Sequence, residues 1–337
     1  MSRFASTPAK EARANKTLPL MIGLISPSSG GKTMTALRMA KGIQEVVGGK
    51  IFVIDTEEGR ALHYADDFDF EHVPFTAPYG SLDYLEALRY CKEQGAGVVI
   101  VDQISFEHDG PGGLLEQHEA ALERMAGNDY KKRERMTFAA WIKPKANRKK
   151  LINAITAELN RPVIFCWRAK QVTKPVAGGQ PLDMGYSSVG AEEHKFEMTA
   201  NIMFAPNAAG VPMLDSDKPG EAACIKVPKQ FAWLRDIRGS IDESVGRRMA
   251  EWATGKAKSA AAPAKQTAED WTAEHIAAIE SALTIDALEA IVKKASAALT
   301  KLKAGKPELH DSAVAAADER RVELTATDSG GDPFGGG

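Results

Sequence analysis

The stretch LISPSSGGKTMTALRMA, residues 24–40, decides the fold. It begins inside the apolar run Leu20–Ile25 and ends in the periodicity of an amphipathic helix, predicted from Met34 to about Val47. Between them lies Ser26-Pro27-Ser28-Ser29-Gly30-Gly31-Lys32-Thr33, one residue away from the pattern G-x-x-x-x-G-K-[ST]. Strand, glycine turn and helix are the setting in which that pattern cradles phosphate. Backbone N–H groups point inward, the lysine reaches the β- and γ-phosphates, and the hydroxyl ligates Mg²⁺. The positive N-terminal end of the helix adds to the attraction. The departure is Ser26, where the pattern opens on glycine. A serine fits there if its φ is negative, and every phosphate ligand stays in place. Residues 26–33 are therefore the predicted nucleotide site, with Lys32 on phosphate and Thr33 on metal.

Working outward, three more short runs rich in Val and Ile resemble Leu20–Ile25: Ile51–Ile54, Val98–Val101 and Val163–Cys166. Continuous apolar runs separated by helical patterns mark parallel strands buried on both faces. The predicted class is α/β with a mostly parallel sheet, and ligands belong at the carboxyl ends of its strands. Segments Phe196–Phe204 and Ala222–Val227 lie closer together, as in a terminal antiparallel extension. The run GVVIVDQIS ends its apolar part at Asp102, a carboxylate placed to hold Mg²⁺ through water beside Thr33. IFVIDTEEGR, residues 51–60, puts Glu57 two residues past a neighbouring strand end, where a base orients water toward a γ-phosphate. With no N-K-x-D guanine-reading motif, ATP is favoured over GTP.

The bulk figures bound the rest. The 337 residues suggest two domains, or one domain with appendages, and the 44% hydrophobic content supplies a real core. A net charge of −2 argues neither for nor against nucleic acid, so any such contact needs a local basic patch. The three cysteines, Cys91, Cys166 and Cys224, form no C-x-x-C pair and read as reduced thiols of a cytoplasmic protein. No apolar run reaches the roughly 18 residues that span a bilayer, so no membrane is expected. Residues 1–17 read as a loose arm, 18–253 as the core domain, 254–268 as an Ala/Lys/Pro linker, 269–324 as a helical module and 325–337 as a disordered tail. In the module, Trp271, Ile276, Ile279 and Leu283 fall at helical spacing, and a last helix is predicted from about Asp311 to Leu324.

The order of phosphate loop, IDTE strand, VIVDQIS strand and VIFCWRAK strand resembles the RecA/RadA-like ATPase core over about residues 18–235. Together with HEAALERMAGNDYKKRERMTFAAWIKPK, it is similar to phage-encoded AAA-domain nucleotide-binding proteins, some grouped with single-strand-annealing recombinases. The resemblance implies ATP and Mg²⁺ as cofactors. Lys32 and Thr33 would serve phosphate and metal, Asp102 the metal, and Glu57 would be the catalytic carboxylate. It also implies a polar γ-phosphate sensor at the end of the strand after Asp102, where Arg168 stands. That arginine has two readings, a phosphate contact or a pair with an acidic neighbour. A homo-oligomer with shared ATP sites is implied as well, with Lys229 reaching the next subunit from a late strand and Lys226 as second choice. The place would be the cytoplasm, of an infected bacterium if the chain is phage-encoded.

Two segments suit single-stranded DNA. Lys131, Lys132, Arg133, Arg135, Lys143, Lys145, Arg148, Lys149 and Lys150 crowd a stretch whose only carboxylates are Asp129 and Glu134. Such groups track a phosphate backbone, and the interleaved Tyr130, Phe138 and Trp141 offer faces for bases. Alternatively Phe138, Trp141 and Ile142 turn into the core. The second segment, Gln171–Lys195, carries four glycines with Lys174 and Lys195 and reads as a mobile DNA-binding loop or a lid ordered by nucleotide. A protein partner would meet the helical module or the Asp332-Pro333-Phe334 tail, which is similar to the acidic Pro-Phe tips of bacterial single-strand-binding proteins; a plain disordered end is the other reading.

Overall fold

The apolar run of residues 21–25 alternates its faces, Met21 and Ile25 entering one buried cluster and Ile22 and Leu24 another. This period of two is what places strand β1, Met21–Ser26, in the middle of a sheet covered on both sides. In the computed structural model the described residues are 6–14, 16–176, 178–190, 194–255 and 268–328. They form two units, Met1–Ala257 and Lys258–Gly337.

In the first unit, β2 is Lys50–Asp55, β3 Glu71–Pro74, β4 Ala96–Asp102, β5 Val163–Lys174, β6 Leu182–Ser188 and β7 Ala200–Met203. The order across the sheet is β3-β2-β4-β5-β1-β7, all parallel, with β6 antiparallel against the outer part of β5. Register brings Ser26 level with Arg168, Asp55 level with Asp102, and Asp102 level with Cys166. Ser26, Asp55, Asp102 and Arg168, from four strands, therefore gather on one side of the sheet, although β5 runs on past Arg168 to Lys174. One face is covered by the helices Lys32–Val47 and Glu243–Thr254, the other by Ser81–Glu93 and Ile142–Ala154. The three cysteines are free and buried in this unit, and no described helix is long and apolar enough to cross a membrane.

Several expectations change here. Residues 200–203 pair parallel to β1 and so join the main sheet. Residues 222–227 are not a strand: Ala222 ends the short helix Pro219–Ala222, and the expected antiparallel extension shrinks to an isolated antiparallel bridge between Asn201 and Lys226. The expected mobile loop 171–195 is largely the β5–β6 hairpin, which its glycines disguised. Gly185 takes φ +71° where the register shifts. Within the predicted loose arm, Ala9–Ala14 is helical, and Arg13 donates to Ala253 O at 3.2 Å and lies over the Trp252 ring.

The second unit holds the helices Ala268–Glu280, Ile285–Gly305 and Pro307–Asp328 around Ile279, Ala282, Leu288 and Ala317. Leu283, expected on the apolar stripe, is exposed, because helix Ala268–Glu280 ends before it. Most of the linker and the Asp332-Pro333-Phe334 tip lie outside the described residues.

Candidate functional site

The glycine loop of residues 26–33 leaves β1 through Ser26, whose backbone is extended and whose side chain is fully buried. That is why serine serves at a place where the pattern has glycine. Gly31 cannot be replaced so freely. It holds φ +88° at the start of helix Lys32–Val47, and a Cβ there would stand 2.5 Å from Gly210 N. The loop is braced from that side, with Gly210 N donating to Gly30 O at 3.1 Å. Lys32 folds back over the turn and donates to Ser26 Oγ at 3.1 Å and Ser26 O at 3.2 Å. Burial holds its ammonium pKa below the ordinary value against the opposing pull of Cys166, Asp102 and Glu57.

Thr33 Oγ1 donates to Asp102 Oδ2 at 2.6 Å. Burial raises the Asp102 pKa, and the Thr33 hydrogen bond and the charge of Lys32 oppose the rise. A hydroxyl and a carboxylate at this separation are hard oxygen donors of the kind Mg²⁺ takes, with phosphate and water completing its shell. Among the described residues no cluster of three His, Cys, Asp or Glu side chains could hold an ion unaided. The residues present thus fit Mg²⁺ bound together with a nucleotide.

The tip of β2 supplies the next group. Asp55 is spent on architecture: its carboxylate accepts from Glu57 N at 2.8 Å and Ala61 N at 3.0 Å, and it faces His72 Nε2 at 3.2 Å. This fixes the turn that presents Glu57. One Glu57 oxygen accepts from Gln103 Nε2 at 2.8 Å and meets Arg168 at 3.8 Å; the other accepts from Arg60 Nη1 at 3.2 Å. Arg168 also lies over the Phe106 ring, 5.2 Å from its centre, and its backbone N–H donates to Ser105 Oγ. Lys32, Thr33, Glu57, Arg60, Tyr64, Asp102, Gln103 and Arg168 line one cleft of ≈ 530 Å³ together with Ser28–Gly31. Its size is that of a small-molecule site.

Of the predicted residues, Ser28–Thr33, Glu57, Asp102 and Arg168 line this cleft, and Ser26 sits directly beneath it. Pro27 contributes its carbonyl, 3.3 Å from Lys32 Nζ. Lys229 does not line it. It is exposed at the start of the turn Lys229–Asp236, and Lys226 is tied to Met198 O at 2.6 Å. Arg60, Tyr64 and Gln103 were not predicted. Gln103 directly follows a strand-tip carboxylate, and Arg60 stands one short turn after Glu57, but no motif marks either.

The basic segment forms the consecutive helices Tyr130–Ala140 and Ile142–Ala154, with Trp141 helical between them. Lys131, Lys132, Arg135, Lys143, Lys145, Lys149 and Lys150 are exposed. One expected member drops out: Arg148 is buried, its guanidinium gripping both oxygens of Glu107. Arg133 is half-buried and pairs with Glu119. Phe138 and Ile142 do not enter the core; they are 86% and 71% exposed, among cations. Trp141 stacks on His118 at 4.0 Å, and Lys145 Nζ lies over the Trp141 ring, 5.8 Å from its centre. Lys174 is exposed at the end of β5, on the hairpin rather than in a free loop. No protein-family model matches this chain, and no curated protein matches it.

Proposed function

We propose that this chain is a Mg²⁺-dependent ATP hydrolase of RecA-like type that works on single-stranded DNA in recombination, annealing or replication. The observation that carries it is the Thr33–Asp102 hydrogen bond at the mouth of the loop, with Lys32 and Glu57 in the same cleft. Gly30, Gly31 and Lys32 would hold the β- and γ-phosphates, and Thr33 with Asp102 would hold Mg²⁺. The metal, when bound, neutralises charge on the phosphate oxygens. Glu57 would orient a water on the γ-phosphorus and accept its proton as the bond to the bridging oxygen breaks, releasing ADP and phosphate. β5 lies between β1 and β4, and Arg168 lines the same cleft as the loop and Asp102, which supports a γ-phosphate sensor role.

The exposed cations and the exposed side chains of Tyr130, Phe138 and Ile142 support the choice of a single strand. Phosphates meet lysines there, and an unpaired base has a ring to lie on. Coupling to a protein partner would fall to the C-terminal three-helix unit.

A second reading rests on Glu57. Both of its oxygens already accept from Gln103 and Arg60, which suits a nucleotide-gated regulator with little hydrolysis. Phosphate release from Mg-ATP, with and without single-stranded DNA, separates the two. DNA-stimulated release abolished by Lys32→Ala and by Glu57→Gln is expected. Tight ATP binding without turnover in either condition would leave only the regulator.

A further inference from the structure

We infer that Arg60 is a γ-phosphate-binding residue, acting beside Arg168 of the same chain. This rests on the ATPase proposal and goes beyond it, since that proposal gave Arg60 no role. Arg60 is not carried on a loose loop. Its own N–H donates to Glu57 O at 3.2 Å, the next N–H is fastened to Asp55, and Ala61 is buried at 2% exposure. Its guanidinium nonetheless reaches back to the cleft that Lys32 and Thr33 line.

The balance of charge there is uneven. Lys32, Arg60 and Arg168 face only Glu57 and Asp102, and Asp102 is already bonded to Thr33. Arg60 and Lys32 lie close enough that the arginine helps lower the lysine's pKa, behind burial. Two arginines converge on the single carboxylate of Glu57, at 3.2 Å and 3.8 Å. Neither guanidinium is saturated: among the described residues Arg60 donates to Glu57 through Nη1 alone, and its side chain is 57% exposed. A γ-phosphate carries more charge than a carboxylate and takes arginine in the same forked geometry. It would therefore draw both arginines from Glu57. Glu57 would keep Gln103 on one oxygen and free the other for water. The arginine pair is then both the γ-phosphate grip and the latch that keeps the base idle until ATP is present.

The test uses Arg60→Ala and Arg60→Lys in the full chain, with ADP and a non-hydrolysable ATP analogue as probes. ADP affinity is expected to stay within ~3-fold of wild type, which also reports that the loop is folded. Preference for the triphosphate should fall at least ~10-fold, and kcat ~10²–10³-fold, as when one transition-state donor is removed; Arg60→Lys should recover only part. Mixing Arg60→Ala with Lys32→Ala protein decides where the arginine comes from. A single-chain site gives no more turnover than the separate variants together. Recovery on mixing would show that Arg60 serves a neighbour and would overturn the inference, as would an Arg60→Ala protein with unchanged kcat and triphosphate preference. If the wild type itself binds no ATP, the parent proposal falls together with this one.

Discussion

The glycine-loop cleft and the basic helix pair both gather cations, yet they hold them in different ways. In the cleft, Lys32 is folded onto backbone oxygens, Arg60 and Arg168 bear on one carboxylate, and the loop is pressed against Gly210. Along residues 130–154, the exposed lysines meet no carboxylate among the described residues, and Phe138 and Ile142 stand bare beside them. A site for a small anion needs few charges at fixed positions, because electrostatic preorganisation acts over short distances in a partly dry cleft. A surface for a long polyanion needs many charges, none of them fixed, because release of counterions supplies the affinity. The helix pair even contains its own contrast: Arg148 is locked to Glu107, while Lys149, the next residue, faces solvent.

That contrast gives the largest expected effect. Arg148→Ala leaves the buried Glu107 carboxylate without its guanidinium and should cost about 3–5 kcal/mol of stability, whereas Lys149→Ala should stay within about 0.5 kcal/mol. Urea unfolding measures both; equal effects would erase the distinction. Glu107 adds a pH signature. Burial raises its pKa, but His194 and Arg148 more than offset this and hold it at about 2, below an ordinary 4.5. The folded state binds that proton more weakly than the unfolded one. The stability it contributes is therefore complete above pH 4.5 and is lost as pH falls toward about 2. Arg148→Ala should flatten that acid limb.

Gly31→Ala tests the rigidity of the cleft. A side chain at φ +88° and 2.5 Å from Gly210 N should cost about 1–3 kcal/mol in strain alone and abolish nucleotide binding, read by calorimetry with ADP. Intact binding would mean the loop is softer than its bracing suggests. The smallest stability effect belongs to the exposed stripe. Phe138→Ser with Ile142→Ser should leave the melting temperature unchanged or slightly higher. The same pair should weaken single-stranded DNA binding by ~1–3 kcal/mol for each base that loses its stack, read by fluorescence anisotropy. Reversing Lys131, Lys132, Lys149 and Lys150 to Glu should also lower the salt dependence by ~0.7 log units for each lost phosphate contact. DNA binding that ignores both sets would move the interface elsewhere, with the β5–β6 hairpin and Lys174 next to be tried.

Much of the cleft was legible before folding, for a local reason. A phosphate loop, its strand and its helix are neighbours in sequence, so the pattern of residues 24–40 carries its own context. Strand tips were legible too, because apolar runs ending in Asp102 or in Asp55–Glu57 mark where a buried strand meets solvent. β3 was not, since only Val73 of its four residues is a strong strand former and both strand ends are exposed. Gly185 of β6 looked like a loop glycine because a register shift and a free loop call for the same residue.

By itself, then, the sequence determined an α/β sheet, the glycine loop between its first strand and helix, and the carboxylates nearest to it. Each depends on spacing along the chain, which survives whatever the rest of the molecule does. Only the tertiary structure decided that Arg60 joins the cleft and Lys229 does not line it, that Arg148 is an internal ion pair rather than a contact, and that Phe138 faces solvent. Helical periodicity fixes which residues share a face, but what that face meets depends on elements far away in sequence. Here Glu107, 41 residues from Arg148, drew one cation of a basic helix inward and left its neighbours outside.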